Sequence, residues 1–346
     1  MKPLPPNDLD HILAHTQTLW EEVRGKRIFL SGATGFFGAW LLESLLHANR
    51  RLGLGLRATV LSRDPAAFAR RMPRLAADAA MTLWQGDVCN FDFPECEFPL
   101  VVHAAAPTSA EASHEPDALL RILIDGTRHM IGLASRRHTQ RFLYISSGAV
   151  YGRQPQHVSH VGEDFPGGPD WLDPGSAYAE GKRVAEQLCS IGAREAGIEF
   201  KIARCFAFVG PGLPLEGHFA IGNFIADALA GREVGVRGDG TPMRSYLYAA
   251  DLSIWLWTML LRANPAGSNP AVWNVGSAEA ISIRDLAHMV GDEIHPGLQV
   301  NLGRTPTPGA PTQRYVPDVR KVEAELGVRQ TIGLREAIHR TADWYR

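Results

Sequence analysis

The residue pair best suited to acid–base chemistry in this sequence is Tyr178 and Lys182, a phenol and an amine four positions apart. On a helix, positions i and i+4 lie on one face, so the ammonium can approach the phenol. A neighbouring positive charge favours the phenolate and lowers the pKa of a tyrosine from about 10 toward neutral pH. Such a phenol can give or take a proton during a reaction. The alternative interpretation is a solvated helix face with one aromatic ring.

A glycine pattern near the N-terminus indicates a binding site for phosphate groups. Three glycines spaced three residues apart follow the apolar segment that ends at Ser31 and precede a helical apolar pattern. Such a strand–turn–helix unit presents the N–H groups of a helix start to a pyrophosphate, and the missing side chains allow close approach. We therefore predict that this turn binds a dinucleotide. The expected contact residues are Gly32, Thr34, Gly35, Phe36, Phe37 and Gly38.

Strand and helix patterns alternate through the first two hundred residues. The predicted strands are Arg27–Ser31, Arg57–Leu61, Met81–Gln85, Leu100–Ala104, Arg141–Ser146 and Glu199–Arg204. The predicted helices between them are Phe37–Leu52, Pro65–Met72, Asp117–Arg137 and Ala177–Ala196. This alternation predicts an α/β fold with a doubly wound parallel Rossmann sheet.

The remainder of the chain predicts additional parts around that sheet. An amphipathic pattern at Asp8–Val23 indicates an N-terminal helical extension over residues 1–25. Residues 26–205, with about 246–275, are predicted to form the NAD(P)-binding domain. Residues 206–245 and 276–346 carry shorter elements separated by Gly- and Pro-rich turns, and we expect a smaller substrate-binding lobe there, at the carboxyl edge of the sheet.

Composition narrows the classes of function. The chain has 346 residues, 45% of them hydrophobic, and a formal net charge of −2. A net charge this close to zero does not indicate binding to nucleic acid or to an anionic membrane. Four cysteines show no paired metal spacing and suit reduced, mostly buried thiols, and the histidines form no ligand pattern. With no signal-peptide pattern and Leu252–Leu261 too short for a membrane span, we expect a cytoplasmic protein without a metal site.

Three motifs occur in order along the chain. They are Gly32-x-x-Gly35-x-x-Gly38, Tyr144-Ile-Ser-Ser147-Gly-Ala-Val-Tyr-Gly152 and Tyr178-Ala-Glu-Gly-Lys182-Arg-Val-Ala-Glu186. Together they resemble the extended short-chain dehydrogenase/reductase family, which includes nucleotide-sugar epimerases, dehydratases and decarboxylases. The last motif is especially similar to the UDP-glucuronate decarboxylase branch. The resemblance implies an NAD(P)-dependent enzyme whose substrate is a nucleotide-diphosphate sugar.

The resemblance also implies roles for individual residues. Ser147 would hydrogen-bond the sugar oxygen being oxidised or reduced, Tyr178 would move the proton, and Lys182 would hold the nicotinamide ribose. Further cofactor contacts would be Asp87, Val88, Ala104, Ala105 and Ala106. The implied substrate contacts are Thr108, Ser109, Ser147, Asn223, Arg237, Arg244 and Arg314. Arg244 and Arg314 match positions that clamp a diphosphate, for which paired guanidinium groups suit the geometry. The alternative for each arginine is a surface charge.

Positions 148 and 149 depart from the family pattern. The dehydratases place an Asp-Glu pair directly after the catalytic hydroxyl residue to protonate the departing hydroxyl and take the C5 proton, whereas this chain has Gly148 and Ala149. The decarboxylase branch has a glutamate where Ala149 stands. These departures favour a C4 epimerase or a 4-keto-sugar reductase. The alternatives are a reductase of a non-sugar carbonyl compound and a non-catalytic NAD(P)-binding regulator.

The cofactor prediction depends on the end of the second strand. Relatives that prefer NAD carry an acidic residue there for the ribose 2′-hydroxyl. Here Ser62 occupies that position and Arg63 could pair with a 2′-phosphate, which favours NADP with NAD as the alternative. Asp64 is predicted to cap the helix that begins at Pro65. The family also implies a homodimer formed through the helix that carries Tyr178 and the helix before it.

Overall fold

A parallel β-sheet with helices on both faces is the main body of the protein. The structure is a computed structural model that describes residues 1–106, 115–217, 219–307, 309 and 311–346. Two predicted substrate contacts, Thr108 and Ser109, lie outside the described residues.

The strands and helices have the following bounds. The strands are β1 Arg27–Ser31, β2 Arg57–Ser62, β3 Met81–Gln85, β4 Leu100–His103, β5 Arg141–Ser147, β6 Glu199–Cys205, β7 Phe208–Val209, β8 Val234–Val236, β9 Met243–Arg244, β10 Leu247–Tyr248, β11 Ala271–Val275, β12 Ile281–Ser282, β13 Val300–Leu302 and β14 Arg314–Tyr315. The helices are α1 Pro6–Thr16, α2 Phe36–Leu52, α3 Pro65–Arg71, α4 Pro73–Ala76, α5 Pro116–Arg136, α6 Ala177–Ala196, α7 Ala220–Leu229, α8 Ala249–Leu261, α9 Ile283–Ile294, α10 Arg320–Leu326 and α11 Leu334–Tyr345.

The main sheet has a doubly wound strand order. Among the described residues it contains seven strands in the order β11-β6-β5-β4-β1-β2-β3, with every pair parallel. The direction of winding reverses between β1 and β4, where Ser31 pairs with His103. In open α/β sheets, ligands bind beyond the carboxyl ends of the strands at this point of reversal. The predicted fold class is thus confirmed.

Alternating side chains divide the core between the two faces of the sheet. In β1, Ile28 and Leu30 join the core beneath α2 and α8, whereas Phe29 joins the core beneath α5 and α6. In β5, Leu143 faces the first core and Phe142 faces the second. Because both faces are covered, these strands read as continuous apolar runs in the sequence.

The long elements agree with their sequence patterns. Most predicted strand and helix bounds lie within one residue of those observed, and α6 has the predicted bounds. The N-terminal helix is shorter than expected: α1 ends at Thr16 and single 3-10 turns follow. The division into two domains stays a prediction. Beyond Cys205, the chain forms a small sheet of β12, β9 and β14, in that order, and two strand pairs, β7 with β10 and β8 with β13.

Helix α1 covers the outer side of the most apolar helix in the chain. All residues of α8 are buried, which confirms the prediction for Leu252–Leu261, and α8 packs between α1 and α2. Asp8 of α1 accepts hydrogen bonds from the Tyr248 hydroxyl at 2.6 Å and from Arg340 of α11 at 2.7 Å. The N-terminal segment is therefore part of the folded core.

Other features of the described residues bear on the class of protein. No helix in them combines the length and apolar character that a membrane crossing requires. Within the same residues, no group of three or more His, Cys, Asp or Glu side chains is arranged to hold a metal ion. Cys189 and Cys205 are buried free thiols, and Cys89 and Cys96 are half-buried free thiols.

We predict that Asp8→Ala lowers the free energy of unfolding by about 3–5 kcal/mol, because it leaves a buried phenol and a guanidinium without their shared carboxylate. The matched control is Asp10→Ala on the same helix. Asp10 is 50% exposed against 1% for Asp8 and forms only surface pairs with His47 and Arg51. We expect the control to cost less than about 1 kcal/mol. Urea unfolding followed by circular dichroism measures both, and equal costs would contradict the assignment of α1 to the core.

Candidate active site

The glycine turn between β1 and α2 is packed against the backbone that follows β4. Gly32 has φ +77°, and a Cβ atom there would lie 2.4 Å from the carbonyl carbon of Ala104. A Cβ atom on Gly38 would lie 2.2 Å from the Cα of Ala33, so that α2 can approach the turn only with glycine at this position. Gly35 has more space, with 3.5 Å to its nearest neighbour, and is the N-cap of α2. The turn thus leaves the start of α2 uncovered by side chains, which suits a pyrophosphate.

A buried hydrogen-bond chain fixes the ends of β1 and β4 beside this turn. Ser31 and His103 join at 2.7 Å through Oγ and Nδ1, and His103 Nε2 lies 3.1 Å from Thr127 Oγ1 of α5. Thr127 donates to the carbonyl of Leu123, so it accepts from Nε2–H and leaves Nδ1 as the acceptor for Ser31. Burial lowers the pKa of His103 to about 3, with a smaller contribution from Lys182, and keeps the ring neutral. The sequence analysis did not predict these hydrogen bonds.

The other predicted cofactor residues lie at the carboxyl edge of the main sheet. Asp87 and Val88 follow β3; Asp87 accepts from the N–H of Cys89 at 2.9 Å, and Val88 is buried against Gly126 of α5. Ala104, Ala105 and Ala106 follow β4 and are half-buried. Residues 104–106 thus begin where the glycine turn packs at the reversal of winding, whereas Asp87 and Val88 lie at the end of the edge strand β3.

At the end of β2, Ser62 is buried and Arg63 is exposed. Asp64 accepts from the N–H of Ala67 at 2.8 Å and is the N-cap of α3. The predicted helix cap is confirmed. The carboxylate of Asp64 is thus engaged with the backbone of α3, and the predicted role of Ser62 and Arg63 in cofactor choice stays a prediction.

The three predicted catalytic residues converge at the carboxyl end of β5. Ser147 is the last residue of this strand, and Tyr178 and Lys182 lie on the first turns of α6. The Lys182 ammonium donates to the carbonyl of Ile145 at 2.6 Å, 4.8 Å from the ring centroid of Tyr144 and 5.8 Å from that of Tyr178. The Ser147 hydroxyl lies near enough to the Tyr178 phenol to act on its pKa.

Burial changes the proton affinities of this cluster. It raises the pKa of Tyr178 to about 12, against a smaller lowering effect of the Ser147 hydroxyl. Burial also lowers the pKa of Lys182 to about 8. The expectation of a lowered tyrosine pKa is therefore wrong for the protein as described here. Its physical reason is that removal of the phenolate from water outweighs the nearby ammonium, whose hydrogen bond goes to Ile145.

The small sheet brings an unpredicted residue, Tyr315, to the cluster. In β14, Tyr315 pairs with Arg244 of β9, whereas Arg314 pairs with Met243. Because successive side chains alternate between faces, Arg244 lies on the face of Tyr315 and Arg314 lies on the opposite face. The structure therefore does not bring the two arginines to one face as a pair. Burial raises the pKa of Tyr315, against a smaller lowering effect of the Ser147 hydroxyl.

The remaining predicted substrate residues lie elsewhere in the C-terminal part. Asn223 is on α7, where it donates to the carbonyl of Gly217 at 3.0 Å, and Arg237 is an exposed residue directly after β8. Among the contacts of the described residues, none joins Asn223 or Arg237 to Ser147 or Tyr178. Their role in binding substrate stays a prediction.

Comparison with known proteins shows the family of the chain. Residues 28–276 match the model of the NAD dependent epimerase/dehydratase family. UDP-glucuronic acid decarboxylase 3 of Arabidopsis thaliana is 30% identical over 316 residues, which cover 90% of this chain and 86% of that protein. UDP-glucuronic acid decarboxylase 1 of Xenopus tropicalis is 29% identical over 93% of this chain and 72% of that protein.

Solved structures show the same fold. UDP-glucuronic acid 4-epimerase from Bacillus cereus, in complex with UDP-glucuronic acid and NAD, superposes with a TM-score of 0.75 at 22% identity, covering 92% of this chain and 98% of that one. UDP-glucose 4-epimerase from Thermotoga maritima, with UDP-glucose, superposes with a TM-score of 0.76 at 19% identity and the same coverage. The protein is an α/β enzyme of the extended short-chain dehydrogenase/reductase class. Within that class, it belongs to the NAD dependent epimerase/dehydratase family.

We predict that Gly32→Ala lowers the free energy of unfolding by about 2–4 kcal/mol, because the new methyl group overlaps the Ala104 carbonyl and φ is positive. Gly35→Ala in the same turn is the control; its φ of −83° is allowed for alanine and its surroundings are open. We expect this control to change stability by less than about 1 kcal/mol. Thermal unfolding distinguishes the two. A Gly32→Ala protein as stable as its control would show that the close approach is absent.

Proposed function

We propose that the protein catalyses NAD(P)-dependent oxidation or reduction at one ring carbon of a nucleotide-diphosphate sugar, as a C4 epimerase or a 4-keto-sugar reductase. The observation that carries this proposal is the convergence of Ser147, Tyr178 and Lys182 beside the glycine turn at the reversal point of the sheet. Family membership and the nucleotide-sugar substrates named for the relatives support the substrate class.

The glycine turn fits a dinucleotide, because Gly32 and Gly38 allow close packing against the backbones of Ala104 and Ala33, and Gly35 adds no side chain at the start of α2. The turn would hold the pyrophosphate, and Asp87, Val88 and the segment 104–106 would line the adenosine half. When bound, the dinucleotide supplies the acceptor or donor of hydride.

Three side chains of this protein, those of Ser147, Tyr178 and Lys182, perform the proton chemistry. The Ser147 hydroxyl donates a hydrogen bond to the reacting sugar oxygen and fixes its position. Tyr178 takes the proton of that oxygen during oxidation and returns it during reduction. Its pKa of about 12 keeps the phenol protonated at neutral pH, which suits the donor role in reduction of a ketone. The Lys182 ammonium, anchored on Ile145, supplies positive charge beneath the phenol.

Decarboxylation of UDP-glucuronic acid is the second candidate, because the relatives quoted above carry that activity in their names. Against it, Ala149 stands where the decarboxylase branch has glutamate, and Gly148 and Ala149 offer no acid or base. We expect release of carbon dioxide from UDP-glucuronic acid to be absent or far slower than sugar redox chemistry. A decarboxylated UDP-sugar as the main product would reverse this order.

We propose NADP as the preferred dinucleotide, with NAD as the alternative. NAD is the cofactor in the family description and in the neighbouring epimerase complex. In this chain, however, the carboxylate of Asp64 caps α3, while Ser62 and the exposed Arg63 end β2. A guanidinium beside a hydroxyl suits a 2′-phosphate.

A homodimer and a cytoplasmic location are also proposals. Helices α5 and α6 pack side by side, and α6 exposes Val184 and Ile191, seven residues apart and so on one helix face. This apolar face supports pairing through α6. Light scattering of the purified protein distinguishes a dimer from a monomer.

We predict that Tyr178→Phe lowers kcat about 100- to 10,000-fold, because no proton can reach the sugar oxygen through this position. The substitution keeps the ring and the packing of α6. Trp171→Phe, at an exposed position outside the cluster, is the control and keeps wild-type turnover. Turnover of UDP-, dTDP-, CDP- and GDP-sugars, with the 4-keto forms included, measures both. Full activity in the Tyr178→Phe protein would refute the mechanism.

The stoichiometry of dinucleotide separates the two modes of the proposed reaction. An epimerase retains its dinucleotide through turnover and needs none added, whereas a reductase consumes one reduced dinucleotide per product. We expect one of these outcomes with a nucleotide sugar. If no nucleotide stabilises the protein in a thermal-shift panel, the non-sugar carbonyl reductase becomes the better explanation.

We predict that Arg63→Ala weakens NADPH binding about tenfold, because one charged contact to the 2′-phosphate is lost, and leaves NADH binding nearly unchanged. Arg70→Ala, on the next helix and equally exposed to solvent, is the matched control and should not affect either affinity. Isothermal titration with both reduced dinucleotides measures the difference. Equal losses for NADH and NADPH, or tighter NADH binding by the wild type, would exclude the NADP preference.

A further inference from the structure

Strand β14 of the small sheet packs against the residues that directly follow Ser147. Tyr315 of β14 stacks on Phe206, with ring centroids 4.6 Å apart and an interplanar angle of 37°. Phe206 in turn lies against Gly148, where an added Cβ atom would be 2.7 Å from the Phe206 ring. Because Gly148 is the neighbour of Ser147 in the chain, the position of β14 sets the distance between the small sheet and Ser147.

The residues after β14 are joined to the connection between β5 and α6. The N–H of Val161 donates to the carbonyl of Val316 at 3.0 Å, and the N–H of Asp318 donates to the carbonyl of Val161 at 2.9 Å. A β-bridge pairs Val161 with Pro317 in the parallel sense. Both segments are otherwise irregular, so their buried backbone N–H and carbonyl groups need additional hydrogen-bond partners.

Two buried side-chain amides, those of Gln154 and Asn274, supply such partners, and we call them the amide pair. Gln154 lies in the connection between β5 and α6 and is 5% exposed. Its oxygen accepts from the N–H of Val316 at 3.0 Å. Its nitrogen donates to the carbonyls of Val158 and Ser159 at 2.8 and 3.0 Å. Gln154 therefore bonds the residue after β14 and its own connection at the same time.

Asn274 of β11 joins the same two segments from the main sheet. It is fully buried, and its nitrogen donates to the carbonyls of Val161 and Asp318 at 2.8 and 3.0 Å. Its oxygen accepts from the Tyr151 hydroxyl at 2.7 Å. Because carbonyl oxygens can only accept, the nitrogen of Asn274 must face them, which fixes the orientation of the amide. A carboxylate could not replace it, since a carboxylate has no hydrogen to donate.

The amide pair lies away from the residues predicted to bind the adenosine and the pyrophosphate. The glycine turn follows β1, and the other predicted contacts of that half follow β2, β3 and β4. Strand β14 instead carries Arg314 and pairs with β9, which carries Arg244. Both arginines are predicted substrate contacts. The hydrogen bonds of the amide pair therefore act on the substrate side of the site.

We propose that Gln154 and Asn274 are positioning residues for the substrate: their amides hold β14, and β9 with it, at a fixed distance from Ser147. The inference rests on the proposed function in assigning a nucleotide sugar to this side of the site. It deepens that function, because it names the groups that set the affinity for the sugar substrate separately from the affinity for the dinucleotide. A loosened β14 binds substrate at the cost of first being ordered.

The test is Asn274→Leu, which keeps the branched shape of the side chain, removes its three hydrogen bonds and adds no charge beside Glu163, the partner of the Asn274 N–H. KM for the nucleotide sugar should rise about tenfold, while kcat and the dinucleotide Kd should each change less than about threefold. Asn49→Leu is the matched control. The Asn49 amide likewise joins two backbone groups, the carbonyl and the N–H of Leu56 at 3.1 and 2.9 Å, but at the turn from α2 to β2. The control should leave KM unchanged.

Two kinetic results would overturn the proposal. One is an unchanged KM in Asn274→Leu. The other is a fall in kcat as large as the rise in KM, because the substitution would then act through Tyr151 on Arg204, whose guanidinium lies 4.8 Å from the Tyr151 ring centroid, and so on α6. If Asn274→Leu does not fold, Gln154→Met removes the other amide. It should raise KM about threefold at constant kcat, and an unchanged KM in this variant would equally overturn the proposal.

Hydrogen exchange measured by mass spectrometry needs no substrate and keeps this test separate from the proposed function. The peptide that covers residues 314–319 should exchange about tenfold faster in Asn274→Leu than in the wild type and in Asn49→Leu, whereas the peptide that covers β1 should exchange at the same rate in all three proteins. Equal exchange of 314–319, or an equal acceleration of both peptides, would sink the inference even if the enzyme turns over nucleotide sugars. Acceleration confined to 314–319 without any nucleotide-sugar turnover would support it and leave the proposed substrate class refuted.

Discussion

A half-buried ion pair ties helix α6 to the main sheet. Glu186 of α6 and Arg204 of β6 join at 2.7 Å, and the same carboxylate accepts from Ser146 of β5 at 2.5 Å. A carboxylate removed from water needs such partners, because an unpaired buried charge is costly. This junction ties α6 to two adjacent strands immediately beside Ser147. The register of Tyr178 against Ser147 follows from it.

The site arises where two structural requirements meet. The glycine turn must contact the backbone after β4 closely, and α6 must lie against the end of β5. Because β4 is the neighbour of both β1 and β5, the glycine turn and the Ser147 cluster have a single strand between them. The neutral His103 ring at the end of that strand joins β1 to α5, since it bonds Ser31 on one side and Thr127 on the other.

The sequence predicted the sheet well because its strands and helices follow from local patterns, whereas the catalytic roles of Ser147, Tyr178 and Lys182 stay a prediction. Long apolar strands and helices have a clear period, and the Tyr178–Lys182 spacing places both groups on one helix face. Tyr315 escaped prediction because a two-residue strand has no period, and its approach to Ser147 is a tertiary event. The raised pKa of Tyr178 was not predicted, because the spacing of Tyr178 and Lys182 does not show how deeply they are buried. The register between β9 and β14, which places Arg244 and Arg314 on opposite faces, is likewise a tertiary feature that the sequence pattern does not show.

The docking of α1 on α8 has a consequence for synthesis of the protein. The hydrogen bond between Asp8 and Tyr248 joins residues 240 positions apart, so α1 cannot dock until most of the chain that follows it has been synthesised. Until then, the outer side of α8 has no cover. The same late step forms the hydrogen bonds of Lys2 and Pro3 with Trp344 of α11.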